Sequence, residues 1–505
     1  MMGHKEAAQS IQSINGLARE YWKRPADLTS YLKDRPHSTI SKPKLVKNVG
    51  FFFHDLGIGG GERVTCRLAE ILKSAGYSTT IITNNPLPKE KGQDLPDGVS
   101  HIQVPSYTDI DGQTYATRSK ALVDTIELMD LDAIVFCQWF SDALPFDLMT
   151  TRACGALAYL YIQSSFSLFF LDADMPSSYA ELPITYSLAD RIISLSESDR
   201  MVWSAFNANS VATYNPPSEP MQKETAPLNG HHIIWPARLH VDKCPERVIP
   251  IMDNLVKLVP DAVIHMIGPV EDEYKKHLEQ IIIAHHLKDN VLIEGPRASD
   301  EMQALYLQAD AYLLTSKREG WSLALAEAMA AGLPCVIYDL PYLTLVQKNP
   351  AIDRIPQDNS QQAATKLAHI LLDKEYARKK GAVGRRVIEE IYSFDIVGFW
   401  RSCFEQDCRG TETPTLSESR NIIWTELVRS YAQHLRSIES TQSELIRQLR
   451  DALTTVHERN IAVAQVNNEA CELRHSLQAM EKSLSYRIGR AITFIPRKIK
   501  RLIGR

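Results

Sequence analysis

Lys317-Arg318-Glu319-Gly320-Trp321-Ser322-Leu323-Ala324-Leu325-Ala326-Glu327-Ala328-Met329-Ala330-Ala331-Gly332-Leu333-Pro334 is the stretch on which the fold turns. It starts where a short apolar run, Ala311 to Leu314, stops, and it ends where a second run, Cys335 to Tyr338, begins. Between them Leu323, Ala326, Met329 and Ala330 recur at helical spacing, so the unit reads strand, tight loop, helix, strand. Gly320 lets the backbone approach a ligand, Ser322 is expected as the N-cap, and Gly332 with Pro334 stops the helix. A helix that starts just past a parallel strand offers free N–H groups and the positive end of a dipole. That is an anion site, and phosphate is its commonest occupant. Glu319 sits on the loop, and Glu327 lies about two turns later on nearly the same face as Gly320 and Leu323. Carboxylates so placed do not share a proton; they read as two hydroxyl binders with the phosphate site between them. Two solvated acids on an exposed helix would be the ordinary alternative. It leaves the Glu-Gly-Trp-Ser loop and the small-residue helix Ala324 to Ala331 unexplained.

Upstream, a series of strands alternating with helices begins at His232: Ile233 to Pro236, Ala262 to Ile267, Val291 to Glu294, then the two runs already named. Alternation of this kind predicts a parallel sheet covered on both faces. Its first loop, Trp235-Pro236-Ala237-Arg238-Leu239-His240-Val241-Asp242-Lys243, places Arg238 directly after a strand and Lys243 just before a helical pattern. Two cations at one strand-to-helix mouth suit a diphosphate, each charge-assisted hydrogen bond contributing about 1.5–3 kcal/mol. Gly295 and Arg297 end another strand and are expected to approach a nucleotide base. After Tyr338 helical patterns are expected to about Cys403, and Phe394 to Phe404 is a candidate to cross back onto the preceding domain.

An earlier alternating series runs through Val46 to Phe53, Thr79 to Thr83, His101 to Val104, Ala133 to Cys137, Leu157 to Gln163, Ile192 to Ser196 and Val211 to Tyr214. The loop after its first strand, from His54 through Gly59-Gly60-Gly61 to Arg63, is glycine-rich but has neither GxGxxG spacing nor a P-loop Lys-Ser/Thr. It lets a ligand pass close to the backbone at Gly60 and Gly61. Strand ends single out Gln163 on the acceptor or donor side. His54 reads first as a satisfied strand-end residue and second as a candidate beside Gln163. The proline-rich break at Asn215-Pro216-Pro217 separates the two series. The expected organisation is a loose N-terminal appendage at 1–45, a Rossmann-like domain at 46–216 and a second one at 217–410. A coiled coil at 411–484 and a basic amphipathic helix at 485–505 follow.

The Glu319 to Pro334 stretch resembles the signature of the retaining glycosyltransferases of family 4: a glutamate, seven residues, a second glutamate, an alanine-rich helix and Gly-x-Pro. The resemblance is to enzymes of bacterial envelope polysaccharide. It implies a GT-B fold, two doubly wound domains with a cleft between them, 46–216 on the acceptor side and 217–410 binding the nucleotide sugar. It further implies that Glu319 contacts the donor sugar, that the amides of Gly320, Trp321, Ser322 and Leu323 meet sugar and diphosphate oxygens, and that Glu327 holds the ribose. Arg238 and Lys243 match the family's diphosphate clamp, and the Gly60-Gly61 loop would border donor phosphates and acceptor. Gln163 departs from the family, which often carries histidine there, and Asp339 to Tyr342 lacks a paired glycine and acid found in many relatives.

The chain has 505 residues, 44% hydrophobic and 23% charged, with a net charge of −5, an ordinary globular composition of about three domains. Eight scattered cysteines without CxxC spacing fit a reducing, cytoplasmic compartment. Met1 to Glu20 has no apolar core of a secretory signal, and no apolar run reaches the ~20 residues of a membrane span. Asp172-Ala173-Asp174 mimics a metal-holding Asp-x-Asp but stands in an irregular segment, so no metal is expected. From Trp424 to Leu484 a heptad seam is broken only at Gln442 and Arg459, predicting a coiled coil of about 90 Å and a homo-oligomer. Beyond it Ile488, Ile492, Ile495, Ile499 and Leu502 form one face, and seven Lys/Arg from Arg487 to Arg505 supply charge without an acid. That pattern suits an anionic membrane surface, the inner face of the cell membrane, rather than nucleic acid.

These readings converge on a peripheral, cytoplasmic glycosyltransferase without a cofactor. Its donor would be a nucleotide diphosphate sugar and its acceptor a glycan or lipid-linked oligosaccharide. Two rivals are a phosphorylase of the same fold and an inactive coiled-coil scaffold of a polysaccharide assembly complex.

Overall fold

The computed structural model describes residues 43–409, apart from 44, 89–91, 107–111, 139, 142, 168–184, 219, 222 and 348, together with Gln448. The chain separates into two units, Met1–Ala432 and Gln433–Arg505. Of the second only Gln448 is described, helical and exposed. Apart from Gln448, the expected coiled coil and basic helix lie outside the described residues, as do Asp172-Ala173-Asp174 and nearly all of the N-terminal appendage.

The first unit holds two parallel sheets. In the first, β1 (Asn48–Phe52), β2 (Ser78–Thr83), β3 (Ser100–Gln103), β4 (Ala133–Phe136), β5 (Leu157–Tyr161), β6 (Arg191–Ser194) and β7 (Ser210–Ala212) stand in the order β3-β2-β1-β4-β5-β6-β7. Strands buried on both faces read as continuous apolar runs. One face, with Phe51, Val135, Tyr159 and Ile193, packs under α1 (Gly60–Ser74). The other, with Phe52, Phe136, Leu160 and Ile192, is covered by α2 (Gly112–Leu128), α3 (Leu144–Ala153) and Trp203 of α4 (Glu197–Trp203). A fully buried ion pair, Arg118 Nη2 to Asp147 Oδ2 at 2.7 Å, ties α2 to α3.

The second sheet runs β10 (Val291–Glu294), β9 (Val263–Ile267), β8 (His232–Pro236), β11 (Ala311–Leu314), β12 (Cys335–Tyr338) and β13 (Ile352–Ile355) in that order. Five of these strands stand where apolar runs predicted them. The sixth, β13, corrects the expectation of unbroken helical pattern after Tyr338. Its sequence Ile-Asp-Arg-Ile pairs only with β12, at the sheet edge, where its charged Asp353 and Arg354 reach ion-pair partners. An edge strand needs no apolar run, so the pattern hid it. Helices α5 (Val248–Leu255), α6 (Asp272–Ala284), α7 (Ser299–Gln308), α8 (Leu323–Ala330), α9 (Ser360–Leu372) and α10 (Lys374–Tyr392) cover the sheet.

The last described helix, α11 (Ile396–Arg409), returns to the first sheet. Trp400 and Phe404 stack edge-on against Tyr159, and Trp400 also meets Tyr161. Asp407 takes two hydrogen bonds from Arg191 and one from the Tyr159 hydroxyl.

Each sheet reverses strand order once, between β1 and β4 and between β8 and β11. Ligands of open α/β sheets bind outside the carboxyl ends of strands at such points. The two switch points face one cavity.

Candidate active site

That cavity has a volume of about 320 Å³. Phe53, Gly60, Gly61, Cys137 and Gln163 line it from the first sheet, and Lys243, Glu319, Gly320, Trp321 and Leu323 from the second. Ion pairs join the loops of the second sheet to one another. Lys243 Nζ donates to Glu319 Oε1 at 2.6 Å, and Arg318 donates to Asp242 at 2.8 Å. The two ion pairs join the turn Val241–Lys243 to the loop before α8 at successive residues on both sides. The same Glu319 oxygen accepts from Ser316 Oγ at 2.7 Å. Behind them Thr315, fully buried, accepts from Trp235 Nε1 at 2.8 Å and donates to the Lys243 carbonyl at 3.0 Å. Sequence reading missed Thr315 and Ser316. Their signal was a pair of hydroxyls directly after an apolar strand, where main-chain ends need partners.

Ser322 stands at the head of α8, but its expected role as a side-chain cap is corrected. Its φ is +66°, and its side chain accepts no hydrogen bond from the helix. A serine in left-handed conformation carries backbone strain. The strain bends the chain so that α8 begins on the cavity wall with its first amides uncapped. Past the helix, Gly332 takes φ +75°, the left-handed stop expected of it.

The cleft is closed by contacts between the two domains. A Cβ on Gly320 would stand 2.0 Å from the Gln163 carbonyl oxygen, and one on Gly60 would stand 3.5 Å from Leu323 Cδ1. Tyr342 stacks edge-on against Phe166, and Trp321 packs on Tyr214. Among the buried polar atoms on the cavity walls, Gln163 Nε2 and Trp321 Nε1 have no hydrogen-bond partner among the described residues. Orphaned buried donors are costly in a folded protein, and a ligand rich in oxygen atoms would satisfy them.

Glu327 lies one turn further along α8. Its Oε1 accepts from Arg63 Nη1 of α1 at 2.8 Å, and its Oε2 accepts from the Tyr306 hydroxyl at 3.0 Å. Arg63, Tyr306 and Glu327 share a small cavity of about 50 Å³ with Ser299 and Gln303.

Other sequence candidates stand apart. Arg238 is exposed and meets the site only through the field it exerts, with His54, on Glu62. Burial pushes the Glu62 carboxyl above the usual range, with Asp55 adding to the effect and Arg238 opposing it. His54 Nε2 pairs with Asp55 at 3.0 Å, while its Nδ1 is buried with no hydrogen-bond partner among the described residues, so the ring is only half satisfied. Arg297 pairs with Glu294 at 2.8 Å, and a Cβ on Gly295 would meet nothing within 4 Å, so close approach does not explain that glycine. Among the described residues, the walls of the larger cavity include none of Arg238, His54, Gly295 and Arg297. The described residues contain no group of three His, Cys, Asp or Glu able to hold a metal ion.

Residues 218–387 match the family of glycosyl transferases group 1. Over that stretch the chain is similar to group 1 glycosyl transferases. The match takes in the Lys243 turn, the Glu319 loop and α8, and leaves out α1 and the Gly60-Gly61 loop. A Haemophilus influenzae protein described as an uncharacterized glycosyltransferase is 24% identical over 300 residues, 58% of this chain and 81% of its own length. The O-antigen chain mannosyltransferase RfbU of Salmonella typhimurium is 32% identical over 133 residues, 25% of this chain and 36% of that protein. A mutant TarM of S. aureus, crystallised with fondaparinux, alpha-GlcNAc-glycerol and UDP, superposes with a TM-score of 0.60 at 14% identity. That superposition covers 71% of this chain and 99% of TarM. It shows the two-domain GT-B fold around the matched stretch.

Proposed function

We propose that this chain transfers a sugar from a nucleotide diphosphate sugar to a glycan or lipid-linked acceptor in envelope polysaccharide synthesis, with retention at the anomeric carbon. The observation that carries the reading is the Lys243–Glu319 pair on the wall of the interdomain cavity, directly before the start of α8. In this reading the diphosphate takes the amides at the head of α8 and draws Lys243 away from Glu319, with Arg238 adding charge from the rim. A carboxylate–ammonium pair is neutral, so the arriving phosphates supply the charge that replaces Glu319 as the partner of Lys243. Glu319 is thereby released toward the sugar, where its charge opposes the positive charge that develops as the leaving group departs. Gln163 Nε2 and Trp321 Nε1 fit as donors to sugar or phosphate oxygens. Two cations and a helix dipole neutralise the diphosphate, so no metal is required. The likeness to a family 4 signature supports retention, and the O-antigen mannosyltransferase relative supports an envelope acceptor.

The seam from Trp424 to Leu484 and the basic face beyond it extend the reading. The chain would self-associate and dock on the anionic inner face of the cell membrane as a peripheral cytoplasmic protein. Among the described residues no helix is long and apolar enough to cross a membrane.

A panel of nucleotide sugars tests the first part, scored by thermal shift and by transfer. One donor should raise the melting temperature, and Lys243→Ala and Arg238→Ala should each weaken its binding by about 1.5–3 kcal/mol. Glu319→Gln should remove transfer more severely than nucleotide affinity. Stabilisation by inorganic phosphate alone would favour a phosphorylase. For the tail, the full chain, a chain ending near Leu484 and a 1–410 fragment are floated with anionic vesicles. Equal flotation of the first two would remove 485–505 as the anchor.

A further inference from the structure

Glu327 is held by two donors from different parts of the fold, one on each carboxylate oxygen. Tyr306, fully buried on α7, fixes Oε2, and Arg63, in the first turn of α1, reaches across from the other domain to Oε1. Each carboxylate oxygen has two lone pairs. One protein donor on each leaves one free acceptor position on each. Two acceptors on one rigid plane suit two neighbouring hydroxyls, the arrangement that a ribose 2′,3′-diol presents.

The Arg63–Glu327 pair is partly open to water, 33% and 22% exposed at its two side chains. A pair this exposed adds little to stability, so its consequence is orientation. The placement of α1 makes the reach possible. Its helix starts at Gly60-Gly61, near enough to α8 that a Cβ on Gly60 would make ordinary van der Waals contact with Leu323. Arg63 thus reaches Glu327 only while the cleft is closed, and it lies outside the matched 218–387 stretch.

We infer that Arg63 and Tyr306 are positioning residues that aim Glu327 at both ribose hydroxyls. The first domain then completes the nucleotide site, and the enzyme selects ribonucleoside over 2′-deoxyribonucleoside diphosphates. The inference rests on the donor reading given above. A 2′-deoxy ligand leaves one aimed lone pair of an ionised carboxylate unfilled, a loss of about tenfold or more in affinity. A carboxylate without its two donors turns freely and discriminates less.

The test uses the full chain and isothermal calorimetry with UDP, GDP and their 2′-deoxy counterparts. The wild type is expected to prefer the ribo form by about tenfold or more. Arg63→Ala and Tyr306→Phe are each expected to cut that preference to about threefold or less, and Arg63→Lys to restore part of it. A role in folding alone would lower both affinities together and leave their ratio unchanged. An unchanged ratio in both variants, with the wild type binding normally, overturns the inference and spares the donor reading. Failure of the wild type to bind any nucleoside diphosphate overturns both.

Discussion

Gly320 has no room for a methyl group. A Cβ there would stand 2.0 Å from the Gln163 carbonyl oxygen and 2.7 Å from its carbon, both backbone atoms of the opposite domain. No side-chain rotation relieves such a clash, so Gly320→Ala should hold the cleft ajar. Transfer is expected to fall about a hundredfold, the scale of an ångström-sized misplacement of reacting groups. Affinity for free nucleotide should change only a few-fold, because most of its site lies within one domain. Equal loss of both would mean that Gly320 acts within its own loop. Glu62 supplies a pH dependence at the same scale. Its folded carboxyl titrates above the usual value of 4.5, chiefly through burial, so the folded state binds more protons than the unfolded one just above that value. Stability conferred by the protonated group is therefore lost as pH rises through this window. The charge that appears sits beside Arg238, so donor affinity should decline over the same window. Calorimetry from pH 4.5 to 8 on wild type and Glu62→Gln isolates the effect, since titration of the ligand cancels in the difference. Parallel curves would remove Glu62 from the site's electrostatics.

Among the elements, α10 shows how packing reverses a propensity. Gly381 sits inside this helix, where alanine is intrinsically favoured by about 1 kcal/mol. A Cβ at Gly381 would nevertheless lie 1.9 Å from the Gly332 carbonyl oxygen, in the turn that ends α8. The glycine lets α10 seat directly on that turn, and Arg385 of α10 adds a hydrogen bond to the Ala330 carbonyl at 2.7 Å. Gly381→Ala should therefore destabilise the protein, by about 1–3 kcal/mol, as over-packing does. Thermal unfolding measures it, and a raised melting temperature would show that helix propensity wins. Because α8 carries Glu327 at one end of this contact, the same variant should also weaken nucleotide binding.

For the whole described unit, α11 is the strap that returns the chain to the first sheet. Its Asp407 neutralises Arg191 inside that sheet, and both side chains are buried. Removing one member of a buried pair leaves an uncompensated charge, at a cost of about 3–5 kcal/mol. Asp407→Ala should show that loss in chemical denaturation. The double variant Arg191→Met, Asp407→Leu should recover most of it, because apolar replacement of a buried pair is often neutral. No recovery would place the stabilising effect in Tyr159, whose hydroxyl donates to Asp407 at 2.9 Å. Loosening the strap should also lower transfer, since α11 follows the second domain and packs on the first.

Two parallel sheets, the order of their elements and the helix behind Glu319 were all legible in the chain. Strands buried on both faces must be apolar throughout, and a helix that packs tightly behind a loop must be built of small residues; such requirements are local and leave periodic marks. Lys243, Glu319 and Gly320 could be singled out for the same reason, each standing at a strand-to-helix turn. Partnership was not legible. Nothing in a one-dimensional pattern tells that Lys243 pairs with Glu319, or that Arg63 crosses 264 residues to reach Glu327. Ion pairs and hydrogen bonds depend on distances of about 3 Å between atoms, and only the closed packing of two domains sets those distances. The strain at Ser322, the edge strand β13 and the backbone contact that requires Gly320 belong to the same class, since each is imposed by a neighbour remote in sequence.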